Sequence, residues 1–173
     1  MSLLRGWFAV STATGAKAQA KIVGEDLEWL VSRAVDGLAL VDETDAPHDA
    51  VADQLLTPTA VLPFGSVCLL EAGTPVEIKA CRLQTSNGEH STTPGRWFFK
   101  GRDDGQHHHL LERGGAYLLA VYRETPDGRE VVQMLLLPAS IVDELLAGSW
   151  YGTGRSEGYV AKLSWRTILE DAD

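Results

Sequence analysis

Pro75-Val76-Glu77-Ile78-Lys79-Ala80-Cys81 alternates apolar and polar side chains along its length. On an extended chain Val76, Ile78 and Ala80 fall on one side, and Glu77, Lys79 and Cys81 on the other. This alternation predicts a strand with one apolar face. Its second face then carries a carboxylate and an ammonium two residues apart, side by side on the pleat. Such a carboxylate can hold a hard divalent cation. The lysine can steady an attacking water or a developing phosphate charge. The same letters on an exposed strand would simply put both charges in water. The setting decides.

Immediately upstream, Phe64-Gly65-Ser66 turns into Val67-Cys68-Leu69-Leu70, which reads as a buried strand. Glu71 to Thr74 makes a tight turn into the Glu77 strand, so the two are expected to form an antiparallel hairpin. Before them, Pro47 can start a strand in which Asp49, Val51 and Asp53 share a face. Leu55 to Leu62 contains Pro58 and reads as a loop or edge strand. Earlier still, Leu38 to Val41 is a short apolar run followed by an acidic turn. A helix from about Ala16 to Val35 places Ile22, Val23, Leu27, Leu30, Val31 and Ala34 on one stripe. Gln19 falls inside that stripe, Asp26 at its edge, and Glu25 on the opposite side; Gly37 ends the helix.

Downstream, Leu83 to Pro94 is a polar loop and Arg96 to Lys100 a third strand. Asp104 to Arg113 reads as a helix closed by Gly114-Gly115. Ala116 to Tyr122 and Glu130 to Leu137 form a hairpin about the turn Thr125-Pro126-Asp127-Gly128. A helix over Ser140 to Leu146 follows Pro138, then a glycine-rich loop with Trp150, Tyr151 and Arg155, and a last strand from Tyr159 to Trp165.

Composition narrows the classes. The 173 residues, 45% hydrophobic with five tryptophans, suit one folded domain and exclude a disordered chain. No apolar run approaches the roughly 20 residues of a membrane span, and the first residues lack a signal-peptide pattern. Cys68 and Cys81 do not make a disulfide framework, so a reducing cytoplasm is the expected compartment. The net charge of −9 argues against a generally basic nucleic-acid binder, though locally clustered arginines would suffice.

Other constellations carry less. Adjacent helical residues point ~100° apart, so His107-His108-His109 cannot converge on one ion and is expected to be solvated. The cysteines lack zinc or catalytic-thiol spacing, and Gly152-Thr153-Gly154 is not a phosphate loop. Ser11, Ser66 and Ser140 lack a nucleophile elbow.

The order helix, acidic strand, E-x-K strand, strand, helix, strand resembles the PD-(D/E)xK nuclease superfamily, which includes restriction endonucleases and archaeal Holliday-junction resolvases. Pro47-His48-Asp49 matches the Pro-Asp element, with one extra residue between, and Glu77-Ile78-Lys79 matches the E-x-K element 28 residues on (77 − 49). The resemblance covers about residues 15–123. Pro138 to Trp165 would elaborate the same sheet, all within a single domain over 1–173.

That resemblance implies an α+β (α/β) fold, with a central mixed sheet flanked by helices in a restriction-endonuclease-like core. It implies a metal-dependent endonuclease that hydrolyses DNA phosphodiester bonds, of restriction or junction-resolving type. Asp49, Glu77 and the Ile78 carbonyl would hold Mg²⁺ (or Mn²⁺), and Lys79 would orient or activate the attacking water. Gln19 stands where the family often has a first-helix glutamate, and its amide is a weaker metal partner. Asp53 would substitute for a misplaced Asp49. Arg82, Arg96, Trp97 and Lys100 would contact DNA, since arginine and aromatic side chains suit phosphates and bases. A homodimer is expected because a duplex offers two strands. Two other readings stay open. One is a catalytically reduced member of the fold that binds nucleic acid or a protein. The other is an interaction protein in which Glu77 and Lys79 merely form a surface pair.

Overall fold

The computed structural model describes residues 26–42, 44–67, 69–86, 88, 92–154 and 158–169. A helix over residues 26–34 (α1) precedes strands Leu38–Leu40 (β1), Ala50–Ala52 (β2) and Pro75–Arg82 (β3). Gln84–Thr85 (β4), Thr93–Pro94 (β5) and Arg96–Lys100 (β6) lead to helix Gln106–Glu112 (α2). Strands Ala116–Thr125 (β7) and Gly128–Pro138 (β8) come next, then helix Ala139–Leu146 (α3). Tyr151–Gly152 (β9) and Tyr159–Ser164 (β10) end the set, before one 3₁₀ turn at Trp165–Thr167.

The largest sheet has the order β1-β2-β3-β7-β8. Its centre is the parallel pair β3–β7, and its other neighbours are antiparallel. A parallel pair needs a long crossover, and here the crossover contains β4, β5, β6 and α2. The expected mixed sheet flanked by helices, an α+β arrangement, is therefore what the chain forms. The β7–β8 hairpin closes at Thr125–Gly128, where Gly128 has φ +134, as the turn signal predicts.

Each face of this sheet has its own core. Val76, Ile78, Leu118, Ala120 and Leu136 pack with Val31 and Val35 on one side. Tyr117, Leu119, Val121 and Cys81 pack on the other with Trp97, Phe99, Val142, Ala161 and Leu163. The alternation of β3 thus appears as expected, with Val76 and Ile78 opposite Cys81. The polar face, however, is not a solvent face, because α2, α3 and a second sheet cover it. Fully burying aliphatic side chains such as Leu118 and Leu136 stabilises by about 1.5–3 kcal/mol each.

Three expectations need correction. Val67 to Leu70 is not the hairpin partner of β3: Leu70 bridges Leu56, Leu69 is exposed, and the antiparallel neighbour of β3 is β2. Arg96–Lys100 is a strand but lies outside the main sheet, in a three-stranded sheet of order β6-β10-β9. Tyr159–Ser164 belongs to that second sheet too, which folds part of the Pro138–Trp165 region away from the main sheet. Thirdly, β2 is only Ala50–Ala52, so Asp49 and Asp53 flank a strand and do not share its face. In the described part of α1, Leu27 and Val31 are buried as predicted, while Ala34 is exposed and Val35 takes its place. Gln19, Glu25, Cys68 and Arg155 lie outside the described residues.

Candidate active site

Glu77 and Lys79 share one face of β3 because they are two residues apart. Lys79 Nζ donates to Glu77 Oε1 at 2.5 Å and to Gln106 Oε1 at 2.9 Å. Glu77 is 1% exposed, and its buried Oε2 has no N–H or hydroxyl donor among the described residues. Burial above all pushes the Glu77 carboxyl up, to about 8; the Lys79 ammonium opposes this, and Asp49 adds to it both by its charge and by accepting a hydrogen bond from the protonated Glu77. A buried carboxyl of this kind readily exchanges its proton for a cation of higher charge, releasing the proton to solvent.

Asp49 reaches the same place by a different route. The β2–β3 ladder stops at Ala50↔Val76, so beyond it Ile78 N–H has no partner on β2. Asp49 Oδ2 accepts that N–H at 2.8 Å. On a strand the N–H and C=O of one residue point to the same side. The Ile78 carbonyl therefore turns to the edge where Asp49 sits. Asp49, Ile78, Glu77 and Lys79 are brought together. Asp53 is not: it is exposed one residue past the far end of β2, and its N–H binds the Gly37 carbonyl.

The Gln106 contact is one that sequence reasoning missed. Gln106 opens α2, and a glycine turn sets that opening against the end of β6. Gly101 has φ +76, and a Cβ there would lie 2.6 Å from the Gln106 nitrogen. Gly115 does the same at the other end of α2, where a Cβ would stand 2.8 Å from the Pro75 carbonyl oxygen. Close approach at both ends fixes α2 beside β3.

The histidine triplet divides. His108 and His109 are partly exposed as expected, but His107 is fully buried. Its Nε2 lies 3.1 Å from Asp143 Oδ1 and its Nδ1 2.8 Å from the Tyr117 hydroxyl. Burial holds His107 below the ordinary imidazole range against the opposing pull of Asp143. In the neutral ring, Nε2–H donates to Asp143 and Nδ1 accepts from Tyr117. Trp150 packs against the ring, with centroids 5.1 Å apart. The missed signal was the spacing of His107 and Leu110, one helical turn on the core side.

Nearby groups contribute less. His48, next to Asp49, is held below its ordinary value by burial and then by the Arg113 charge. Burial pushes the Cys81 thiol up to about 12, which removes it as a nucleophile. Among the DNA-contacting candidates, Trp97 is fully enclosed and its indole donates to the Ala120 carbonyl at 2.8 Å, leaving no ring face for a base. It is a core residue. Arg82 is exposed and pairs with Glu124 at 2.8 Å. Arg96 and Lys100 are exposed on the outer side of the second sheet.

A model of the PD-(D/E)XK nuclease superfamily domain matches residues 14–170, nearly the whole chain. The chain belongs to the PD-(D/E)XK nuclease superfamily. The match extends past residue 123 to include β8, α3 and β10, so this nuclease-superfamily domain is broader than the motifs that revealed it. Comparison with curated proteins finds no match, and neither does comparison with solved structures. Among the described residues no helix is long and apolar enough to cross a membrane.

Proposed function

We propose that this superfamily member is a divalent-metal-dependent endonuclease that hydrolyses DNA phosphodiester bonds, of restriction or junction-resolving type. The observation that carries the reading is the buried Glu77 carboxyl, its Oε2 without an N–H or hydroxyl donor among the described residues, beside the Lys79 ammonium and the Asp49 carboxylate. Two carboxyl groups set this close in a buried site cannot both ionise without a further electropositive partner, so without one Glu77 keeps its proton; a cation there would release it. Two carboxylates and one main-chain carbonyl form an all-oxygen set suited to Mg²⁺ or Mn²⁺, with water completing the shell. The residues fit such an ion.

Asp49, Glu77 and the Ile78 carbonyl would hold the ion. When bound it neutralises phosphate charge and makes the coordinated water more acidic. Lys79 holds an ammonium over the site, oriented from two sides by Glu77 and Gln106, where it can position the attacking water and offset charge developing on phosphate. Gln106 keeps that ammonium directed into the site. A dimer that presents two such sites to the two strands of a duplex belongs to the same proposal, as does a cytoplasmic compartment.

One observation favours a second reading. Among the described residues no group of three or more His, Cys, Asp or Glu side chains converges as a metal site. With Gln19 in place of a helix glutamate, a catalytically reduced nucleic-acid-binding or protein-binding module follows. The experiment that separates the two is cleavage of labelled duplex, single-stranded and four-way-junction DNA with Mg²⁺ or EDTA across low to high salt. Metal-dependent cutting lost in Glu77→Gln supports the nuclease. Binding without cutting in any condition supports the reduced module.

A further inference from the structure

The second sheet has two unlike faces. Trp97, Phe99, Ala161 and Leu163 point into the core. Outward, the register places Phe98 opposite Lys162, Arg96 opposite Ser164, and Val160, itself buried, between Lys100 and Tyr151. Arg96, Lys100 and Lys162 are exposed there, as are Phe98 (40%) and Tyr151 (47%).

The pairing pattern sets this face apart. Every other described lysine or arginine, Arg113 at the end of α2 excepted, either faces a carboxylate or lies over a tryptophan ring. Arg96, Lys100 and Lys162 do neither. In a chain of net charge −9, cations left unmatched together beside two open rings suit a polyanion with unpaired bases. From Arg96 to Lys100 the strand spans about 13 Å, the length of a short stretch of single strand. Among the described residues no helix projects from this short sheet face to enter a duplex groove, so they offer no readout of base edges. They do offer stacking, on Phe98 and Tyr151.

The face also leads somewhere. Lys100 adjoins Gly101, which packs against the start of α2, and Gln106 there binds Lys79. We propose that the outer face of the β6-β10-β9 sheet binds single-stranded nucleic acid. Arg96, Lys100 and Lys162 take the phosphates, and Phe98 and Tyr151 take the bases. Only the direction of the strand, from Lys100 toward Glu77 and Lys79, rests on the nuclease reading. The binding itself does not.

The test is anisotropy titration of the full chain in EDTA with fluorescein-labelled oligo-dT and with a duplex of equal length. The triple variant Arg96→Ala/Lys100→Ala/Lys162→Ala should bind oligo-dT at least about tenfold more weakly, and its log-log salt slope should fall by about 2, three contacts at ~0.7 each. Phe98→Ala/Tyr151→Ala should lose about tenfold on oligo-dT and little on duplex, because stacking needs unpaired bases. All five positions are exposed, and a circular-dichroism melt checks the fold. Should the triple variant unfold, Lys162→Ala and Lys100→Ala singly report the slope, each by about 0.7. Absence of salt-sensitive oligo-dT binding by the unaltered chain, or unchanged affinity and slope in the cation variants, overturns the proposal. So does duplex bound as tightly as oligo-dT with both variants indifferent between them. Binding that behaves as expected in a chain that never cuts DNA leaves this face standing and removes the nuclease. Cutting that survives the triple variant at unchanged KM, with unchanged binding, does the reverse.

Discussion

Glu77 and Tyr117 are register partners on the two parallel strands at the centre of the main sheet, and both are buried. Their side chains share a face, yet the tyrosine hydroxyl is engaged by His107 and Glu77 Oε2 has no donor among the described residues. Tyr117 therefore braces α2 and leaves the carboxylate open. Burial first, then the charges of Glu77, Asp49 and Asp143, keep the phenol well above its ordinary range, so it remains a neutral hydroxyl.

Tyr117→Phe should accordingly test a brace. The substitution strands His107 Nδ1 in the core without a partner, at a cost of about 1–3 kcal/mol in urea unfolding. Cleavage by the folded variant should fall by less than about threefold, since the hydroxyl touches no reacting group. A much larger loss of kcat with unchanged stability would mean that the hydroxyl acts in the chemistry.

Lys79→Ala should abolish cleavage, by at least about a hundredfold, while leaving the chain folded. Removing the ammonium takes away the group that holds the Glu77 pKa down, so the carboxyl protonates and no bare anion is left in the core. The stability loss at neutral pH should stay near about 1 kcal/mol for that reason. Retained cutting removes Lys79 from the mechanism.

Gln106 acts through Lys79, and its removal should show as a positioning defect. Gln106→Ala should lower kcat about tenfold with KM nearly unchanged, because the lysine keeps Glu77 but loses its second anchor. Gln106→Glu preserves an acceptor oxygen and should restore much of that loss. A parallel rise in KM in both variants would instead place Gln106 on the substrate.

Much of this architecture could be read from residue order because short-range rules governed it. Alternation revealed β3 and β10, an apolar run revealed β7, Pro-Asp-Gly chemistry placed the β7–β8 turn, and Pro138 stood before α3 as a helix start. The E-x-K face and Asp49 were legible because the spacing of two and the proline entry are local facts. Which strands pair was not. Val67 to Leu70 has the letters of a strand, but Leu70 spends its main-chain bonds on Leu56, a choice made by long-range packing. The alternation that places Phe98 outside also places Trp97 inside, so its burial was readable from Arg96-Trp97-Phe98-Phe99-Lys100 itself. Gln106 left no trace, since its role arises from two glycine-permitted close approaches that join α2 to β3.

Glu77 finally links pH, metal and stability. Its carboxyl sits near 4.5 when the chain is open and is raised to about 8 when buried. In that interval the folded metal-free chain holds a proton that the unfolded chain has released. A raised carboxyl contributes stability that is full below the unfolded value and is lost as pH rises through the folded one. Unfolding free energy should therefore decline between about pH 4.5 and 8, by up to about 1.4 kcal/mol per pH unit from this group. Glu77→Gln, which cannot titrate, should flatten that decline. Mg²⁺ requires the ionised carboxylate, so its binding below pH 8 should release a proton and its stabilisation should grow as pH rises toward 8. Calorimetric Mg²⁺ titrations at pH 6.5, repeated in two buffers of different ionisation enthalpy, measure the release directly. Buffer-independent heats, or a Glu77→Gln variant that binds Mg²⁺ as well as the unaltered chain, would take Glu77 out of the metal site.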